Sequence, residues 1–459
     1  MQIPQGTGSN ELETSLASDS LASDSPGSGS PRAQSLYSPR AEENPRPNLQ
    51  GVDISPRLWL AILVTGIGAG LAGGMLMRLL RLVQHLCFHY GSGDFLTGVE
   101  GVSGIRRFVV VACAGVLAAI ALLLIRRIPD RNGPGLNEAI WNHDGLLPQH
   151  SMSARAVLSV VIVGMGAALG REAALKDGGG IVGLRVSRWF GLNPPQRKLL
   201  VACGVGAGMS AAYNVPLGGA LFILEVLLGT VSVETAIAAF SACFIATAVS
   251  WLLLPNEPTY QIPYLPVNLS LSIFALLSGP LMGIAAVLFV RGIHWAKNHK
   301  PKGAMAVILP VVVFLALGAA AIEWPAMLGN GKNVIQLAFD SRLAGSVLFV
   351  LLVLRPLATI ACLRAGAPGG LFTPTMTLGA MLGAAMGEGW SHLWTGADKR
   401  SCALLGAGAV LAAATQAPIS SLAFALELTY SMSSLIVPLL LAVSGAVLTY
   451  RRFESRTSY

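Results

Sequence analysis

The sequence predicts an all-α protein that crosses a membrane many times, and three observations support this fold class. Hydrophobic residues make up 53% of the 459 residues and charged residues only 12%, with a mean hydropathy of +0.63. A soluble domain carries about 25% charged residues. Long uncharged runs recur, and arginines such as Arg106, Arg107, Arg126 and Arg127 stand at their ends, as is typical of membrane helices.

Four uncharged runs are long enough for membrane helices: 58–77, 108–125, 303–322 and 401–426. A helix of about 20 apolar residues crosses a hydrocarbon core of about 30 Å. Because proline interrupts helices, Pro418 is predicted to break the fourth run.

The sequence divides into an N-terminal tail and two membrane halves that a connector separates. Residues 1–52 are rich in Ser, Pro and Asp, and such a segment buries too little apolar surface to order itself. We predict a disordered cytoplasmic tail there. A proline-rich connector at 256–269 separates two membrane halves, 53–255 and 270–459.

The two halves are predicted to be a duplication. GVGAGMSAAYNVPLGGALFILE (204–225) aligns with GAGAVLAAATQAPISSLAFALE (406–427), with nine of 22 positions identical. The shared positions include Pro216 and Pro418, and Glu225 and Glu427. Duplicated transport proteins commonly hold their substrate between the repeats, at the ends of interrupted helices.

Three glycine-rich loops precede candidate helix starts, at 133–135, 170–172 and 369–372. The first N–H groups of a helix lack intrahelical partners and carry partial positive charge, which suits an anion. Close helix packing through small residues explains any one of these loops equally well. Three together favour an anion site.

These loops resemble, in order, the three signatures of the voltage-gated chloride channel (CLC) family. The motifs are GPGLN (133–137), GREAA (170–174) and GGLFTP (369–374), and the chain resembles a compact prokaryotic-type member without C-terminal regulatory domains. The resemblance implies inverted-topology repeats of tilted, broken helices around an anion pathway. It also implies a homodimer with one pore per subunit, in contact with membrane lipid.

The resemblance implies transport of chloride or nitrate, as an anion channel or as an anion/proton exchanger. The anion-binding positions that it implies are Gly133, Pro134, Gly135, Gly170, Arg171, Glu172, Gly370, Leu371, Phe372 and Tyr459. Glu172 matches the gating glutamate, whose ionised carboxylate occupies the outer anion site and leaves it when protonated. An i,i+4 surface ion pair with Lys176 is the alternative. The sequence offers no account of Lys176 and Asp177.

Three departures from the family pattern bear on mechanism. Pro134 stands where chloride-selective members have serine, which predicts a weaker preference for chloride over nitrate. Val226 occupies the position of the internal proton-handling glutamate, and Glu225 beside it is a possible substitute. Because Glu225 is duplicated as Glu427, a structural role is also open. Tyr459 matches the pore tyrosine, with Tyr450 as the competing candidate.

Other classes fit the sequence less well. A fluoride/proton exporter of the same fold is the main alternative, although fluoride-specific members have methionine at the position of Pro134. An integral membrane enzyme is disfavoured because the sequence lacks HExxH and GxSxG motifs, and we expect no metal or cofactor. The net charge of +8 sits at span ends, so no nucleic-acid binding is expected. A bacterial inner membrane, with both termini cytoplasmic, is predicted.

Overall fold

A computed structural model describes residues 52, 55–89, 94–263, 266–343, 345–394, 396–430 and 435–456. Residues 1–51 of the predicted tail, and Tyr459, lie outside the described residues.

Nine helices of the described chain precede the proline-rich connector. They are α1 (Pro56–Phe88), α2 (Phe95–Glu100), α3 (Gly104–Ile125), α4 (Leu136–Asn142), α5 (Gln149–Gly164), α6 (Glu172–Trp189), α7 (Pro194–Tyr213), α8 (Pro216–Phe222) and α9 (Val233–Ser250). A π-helical segment, Ile223–Leu228, continues α8.

Eight helices of the described chain follow the connector. They are α10 (Leu269–Asn298), α11 (Met305–Glu323), α12 (Lys332–Phe339), α13 (Gly345–Arg364), α14 (Phe372–Leu393), α15 (Lys399–Thr415), α16 (Pro418–Thr429) and α17 (Ile436–Arg456). A short 3₁₀ turn, Pro325–Met327, precedes α12.

The all-α membrane fold is confirmed. Seven helices within the described ranges are long and apolar enough to cross a membrane: α1, α3, α9, α10, α11, α13 and α17. The first two uncharged runs lie within α1 and α3, and the third, 303–322, begins two residues before α11 and otherwise lies within it. The fourth divides into α15 and α16, and Pro418 is the first residue of α16, where its missing N–H costs no helical hydrogen bond.

The two halves contact each other reciprocally. Glu225 accepts hydrogen bonds from backbone amides at the start of α16, while its counterpart Glu427 accepts them from amides at the start of α8. The rings of Phe222 and Phe424 meet with centroids 6.4 Å apart. When residue i of one unit contacts residue j of the other and j contacts i, a two-fold relation connects the units. The contacts therefore agree with an internal duplication.

The same helix crossing occurs once in each half, and it depends on glycine. A Cβ atom on Gly179 of α6 would overlap the carbonyl oxygen of Gly204 in α7. A Cβ on Gly379 of α14 would likewise overlap the carbonyl oxygen of Gly406 in α15. Small residues let helix backbones approach closely in membrane proteins. These crossings fix α6 and α14, the helices that form the site.

Candidate functional site

The second and third glycine-rich loops meet directly. Gly170 N donates to Gly370 O over 2.8 Å, and Gly370 N donates to Gly170 O over 2.7 Å. These two bonds form an isolated antiparallel bridge between loops 200 positions apart in the sequence. The bridge brings the N-termini of α6 and α14 together.

Glu172, the first residue of α6, directs its carboxylate to the N-terminus of α14. The side chain is buried, and its Oε1 accepts hydrogen bonds from the backbone N–H of Phe372 and, over 3.3 Å, from that of Thr373. Its Oε2 lies 3.4 Å from Thr373 Oγ1. The free amides of a helix start favour a negative group. The carboxylate therefore occupies a site suited to an anion.

Tyr213, the last residue of α7, is a partner of Glu172 that the sequence did not identify. Its hydroxyl donates to Glu172 Oε2 over 3.3 Å and lies 3.1 Å from Thr373 Oγ1. The Arg171 guanidinium stacks over the Tyr213 ring, 4.7 Å from the centroid. Arg171 is itself buried, with an Nε that has no hydrogen-bond partner in the described chain. A full positive charge thus lies behind the tyrosine, while Tyr213 and Thr373 contact the carboxylate.

Glycine at both bridge positions leaves the space that the Glu172 carboxylate occupies. A Cβ atom on Gly170 would overlap the carboxylate oxygens of Glu172, and one on Gly370 would overlap its Cδ and Cγ. The backbone can approach a bound group this closely only where no side chain intervenes. The two glycines therefore form the walls of the carboxylate site.

Buried hydrogen bonds from the second half hold the loop that precedes Gly170. Thr359 Oγ1 of α13 donates to Ala168 O over 2.8 Å, and Gly329 N donates to Gly166 O over 3.0 Å. Gly166 has φ +109°, and its counterpart Gly366 has φ +85°, a region that L-residues rarely adopt. Both loops therefore turn into their helices through an equivalent left-handed glycine.

The first glycine-rich loop takes a different position. It leads into α4, but the amide of Gly135 is directed to Glu138 Oε2 over 3.4 Å, and Gly133 is exposed. Pro134 is half-buried. Trp141 of α4 donates to Leu227 O over 2.7 Å, which anchors α4 to the π-helical segment. Across the described ranges, no hydrogen bond joins this loop to Glu172.

Glu225 and Val226 lie in the π-helical segment. Both oxygens of Glu225 are used at the start of α16, by Ile419 N over 3.1 Å and Ser420 N over 2.7 Å. Val226 is buried and has no titratable group. This geometry gives Glu225 a capping role and leaves the neighbouring position apolar.

Lys176 follows Glu172 by one helical turn on α6, and its Nζ lies over the Phe222 ring, 5.9 Å from the centroid. Asp177 directly follows Lys176 on α6. The competing tyrosine, Tyr450, is buried in α17, and its hydroxyl has no hydrogen-bond partner in the part of the chain described. The structure therefore does not bring Tyr450 to the Glu172 group.

The fold and this site define a class: a helical membrane protein whose two halves meet at an anion-type site filled by its own carboxylate. A family model described as voltage gated chloride channel matches residues 116–451. The chain belongs to that family.

Curated relatives include both channels and exchangers by name. A "Putative chloride channel protein ClcB-like" of Ralstonia nicotianae is 30% identical over 74% of this chain and 82% of its own length. A "Voltage-gated ClC-type chloride channel ClcB" of Citrobacter koseri is 29% identical over 86% and 95%. An "H(+)/Cl(-) exchange transporter ClcA" of Cronobacter sakazakii is 29% identical over 84% of each chain.

Solved structures show the same fold. A slow cyanobacterial Cl⁻/H⁺ antiporter matches with a TM-score of 0.75 and 22% identity, over 88% of this chain and 99% of its own. A CLC-type fluoride/proton antiporter matches with a TM-score of 0.67 and 19% identity, over 86% and 95%. The expectation of a CLC fold is confirmed.

Proposed function

We propose that this protein moves small inorganic anions, chloride or nitrate, across the membrane, and that Glu172 gates their path. The observation that carries the proposal is the Glu172 carboxylate on the amides of Phe372 and Thr373. These donors satisfy a negative group without a full positive charge in contact with it. An ion pathway must bind its ion this moderately for the ion to leave.

Gating follows from competition for one place. While Glu172 is ionised, its carboxylate fills the position that a transported anion needs. Protonation removes the charge that the α14 amides stabilise, so the side chain leaves and an anion replaces it. Anion flux should therefore rise as the pH falls.

The test is anion efflux from liposomes that contain the purified protein, with simultaneous recording of proton movement. The wild type should show pH-dependent efflux, and Glu172→Gln should show efflux that no longer varies with pH. Glu388→Gln is a matched control, because Glu388 lies at the surface beside Lys399. No chloride, nitrate or fluoride efflux at any pH would refute transport, and preserved pH dependence in Glu172→Gln would refute the gate.

We further propose that anion movement is not coupled to a fixed number of protons. Val226 cannot carry a proton, and both oxygens of Glu225 are engaged with α16. The Lys176 ammonium group lies over the ring of Phe222. Phe222 stands one helical turn before Val226. In the same liposomes, chloride efflux without proton uptake supports this proposal, and a constant proton-to-chloride ratio contradicts it.

The anion preference is proposed to depend on Pro134. Proline has neither a hydroxyl nor an N–H to donate to chloride, so nitrate should compete well. Pro134→Ser should raise the ratio of chloride to nitrate flux relative to the parent. An unchanged ratio would show that Pro134 does not set selectivity. Fluoride, measured alongside, tests the exporter alternative.

The proposed assembly is a homodimer in a bacterial inner membrane, with one pathway per subunit and both termini cytoplasmic. Family membership supports the dimer. The clusters of arginine after α3 and at the end of α17 support the orientation, because such clusters mark cytoplasmic ends. Light scattering in detergent measures the mass of the assembly, and labelling of single engineered cysteines in intact cells reports the sidedness.

A further inference from the structure

A large cavity opens where the ends of α3, α10 and α13 approach α5. Its volume is about 860 Å³, within the roughly 300–1,000 Å³ of small-molecule sites. Its wall includes Pro368 and Gly369. Gly369 precedes Gly370, which contacts the Glu172 carboxylate. The cavity therefore ends beside the candidate anion site.

Six cationic side chains line this cavity, and its lining includes no carboxylate. They are Arg126, Arg131, Arg155, Lys297, Lys300 and Lys302. They come from α5, α10 and the segments that follow α3 and α10, so separate elements bring them around one space. A solvated charged face on one helix would not produce this convergence.

The six cations lack close carboxylate partners within the part of the chain that the structure describes, although Asp177 attracts Arg155 from beyond ion-pair distance. None of them forms an ion pair there with a carboxylate. Arg131 and Arg155 donate only to carbonyl oxygens, those of Arg126 and Arg131. Partial loss of hydration, with repulsion from Arg155, lowers the pKa of Lys300. A negative occupant would relieve this repulsion.

We propose that this cavity binds a multivalent phosphate, such as a tripolyphosphate chain or the triphosphate of a nucleotide. Arginine forks and lysine ammonium groups are the usual partners of phosphate oxygens. A monovalent halide can pair with one or two of these cations, whereas a triphosphate can span several. Where the proposed transport function holds, an occupant beside Gly369 also blocks the anion path.

Binding is tested first, because it does not require transport. Isothermal titration of the purified full-length protein with tripolyphosphate should give saturable binding that weakens with salt. The double variant Arg155→Gln/Lys300→Gln should bind about tenfold or more weakly, since charged hydrogen bonds are lost. Lys399→Gln/Arg400→Gln is the matched control, because both residues lie outside the cavity next to their own carboxylates. Equal binding by wild type and the cavity variant would overturn the proposal.

Anionic lipid headgroups carry the same phosphate chemistry, so a second arm separates the sources. The titration is repeated in nanodiscs of zwitterionic lipid and in nanodiscs containing phosphatidylglycerol. Binding unchanged by the lipid supports a soluble ligand. Tripolyphosphate binding lost only with phosphatidylglycerol means that headgroups occupy the site. Anion efflux is then measured with tripolyphosphate on the side where the cavity opens. Binding without inhibition of efflux would overturn the proposed block of the anion path but not the binding site.

Discussion

Glu172 and Phe372 stand at equivalent positions, each the first residue of the helix that follows a glycine-rich loop. In the first half this position supplies a carboxylate, and in the second half it supplies the amide that receives it. Lys176 also has an uncharged counterpart, Met376. The residues that differ between the halves therefore include those that make one half supply the carboxylate and the other half bind it.

The residues that the halves share have structural roles instead. Gly170 and Gly370 form the bridge, and Glu225 and Glu427 cap each other's neighbouring helices. Asn214 and Gln416 end α7 and α15 with φ values of 57° and 55°. The residues that the halves share thus form the structural frame, while the residues that differ form the site. Four sets of substitutions test this division.

The largest effect is expected for Gly179→Val, which inserts a side chain into the crossing of α6 and α7. Its Cβ overlaps backbone, which cannot move aside as a side chain can. Overpacking costs about 1–3 kcal/mol or more. Thermal unfolding in detergent measures the loss of stability. Gly389→Val is the control, because a Cβ there meets no atom within 4 Å. Gly379→Val should behave like Gly179→Val, and unequal losses would argue against a shared frame.

Next in size is the loss of the reciprocal caps. Glu427→Ala leaves the buried amide of Gly218 without a partner, at a cost of about 1–3 kcal/mol. Glu225→Ala should cost a similar amount, because it leaves the amide of the buried Ser420 without its partner. Denaturation midpoints compare the two variants. If Glu225→Ala retains its stability but loses proton uptake, Glu225 is a proton carrier and not a cap.

Gly370→Ala is expected to reduce the pH dependence of anion efflux about tenfold, which corresponds to about 1.4 kcal/mol. The added methyl overlaps the Glu172 side chain and should expel it from the α14 amides, which reduces the pH dependence of efflux. In a Glu172→Ala background the same change should have little effect on pH dependence, because the overlapping carboxylate is gone. An equal effect in both backgrounds would mean that the methyl acts through the backbone.

The smallest effect is expected for Tyr213→Phe. The hydroxyl donates one hydrogen bond to Glu172 over 3.3 Å and so stabilises the ionised carboxylate. One such bond is worth about 0.5–1.5 kcal/mol, so the midpoint of the pH–efflux curve should move upward by roughly one pH unit or less. Tyr260→Phe, at another buried tyrosine, is the control. A downward shift would contradict the assigned donor.

Much of this architecture was predictable because local pattern determines it. Uncharged runs predicted α1, α3 and α11, and Pro418 predicted the break between α15 and α16. The partners of Glu172 were not predictable in this way. Tyr213 and Thr373 lie 41 and 201 residues from it, and only the crossings of α6 with α7 and α14 with α15 bring them together. The position of the Lys176 ammonium over Phe222 likewise depends on packing.

The bridge between Gly170 and Gly370 has a consequence for the kind of motion that transport can use. Many duplicated carriers expose their substrate to each side in turn by rocking one repeat against the other. Here two backbone hydrogen bonds join the two halves beside the candidate anion site. Under the proposed function, the halves stay joined, and the part that moves is the Glu172 side chain. Side-chain rotations are faster by orders of magnitude than domain motions, so this architecture permits ion turnover that a rocking carrier cannot reach.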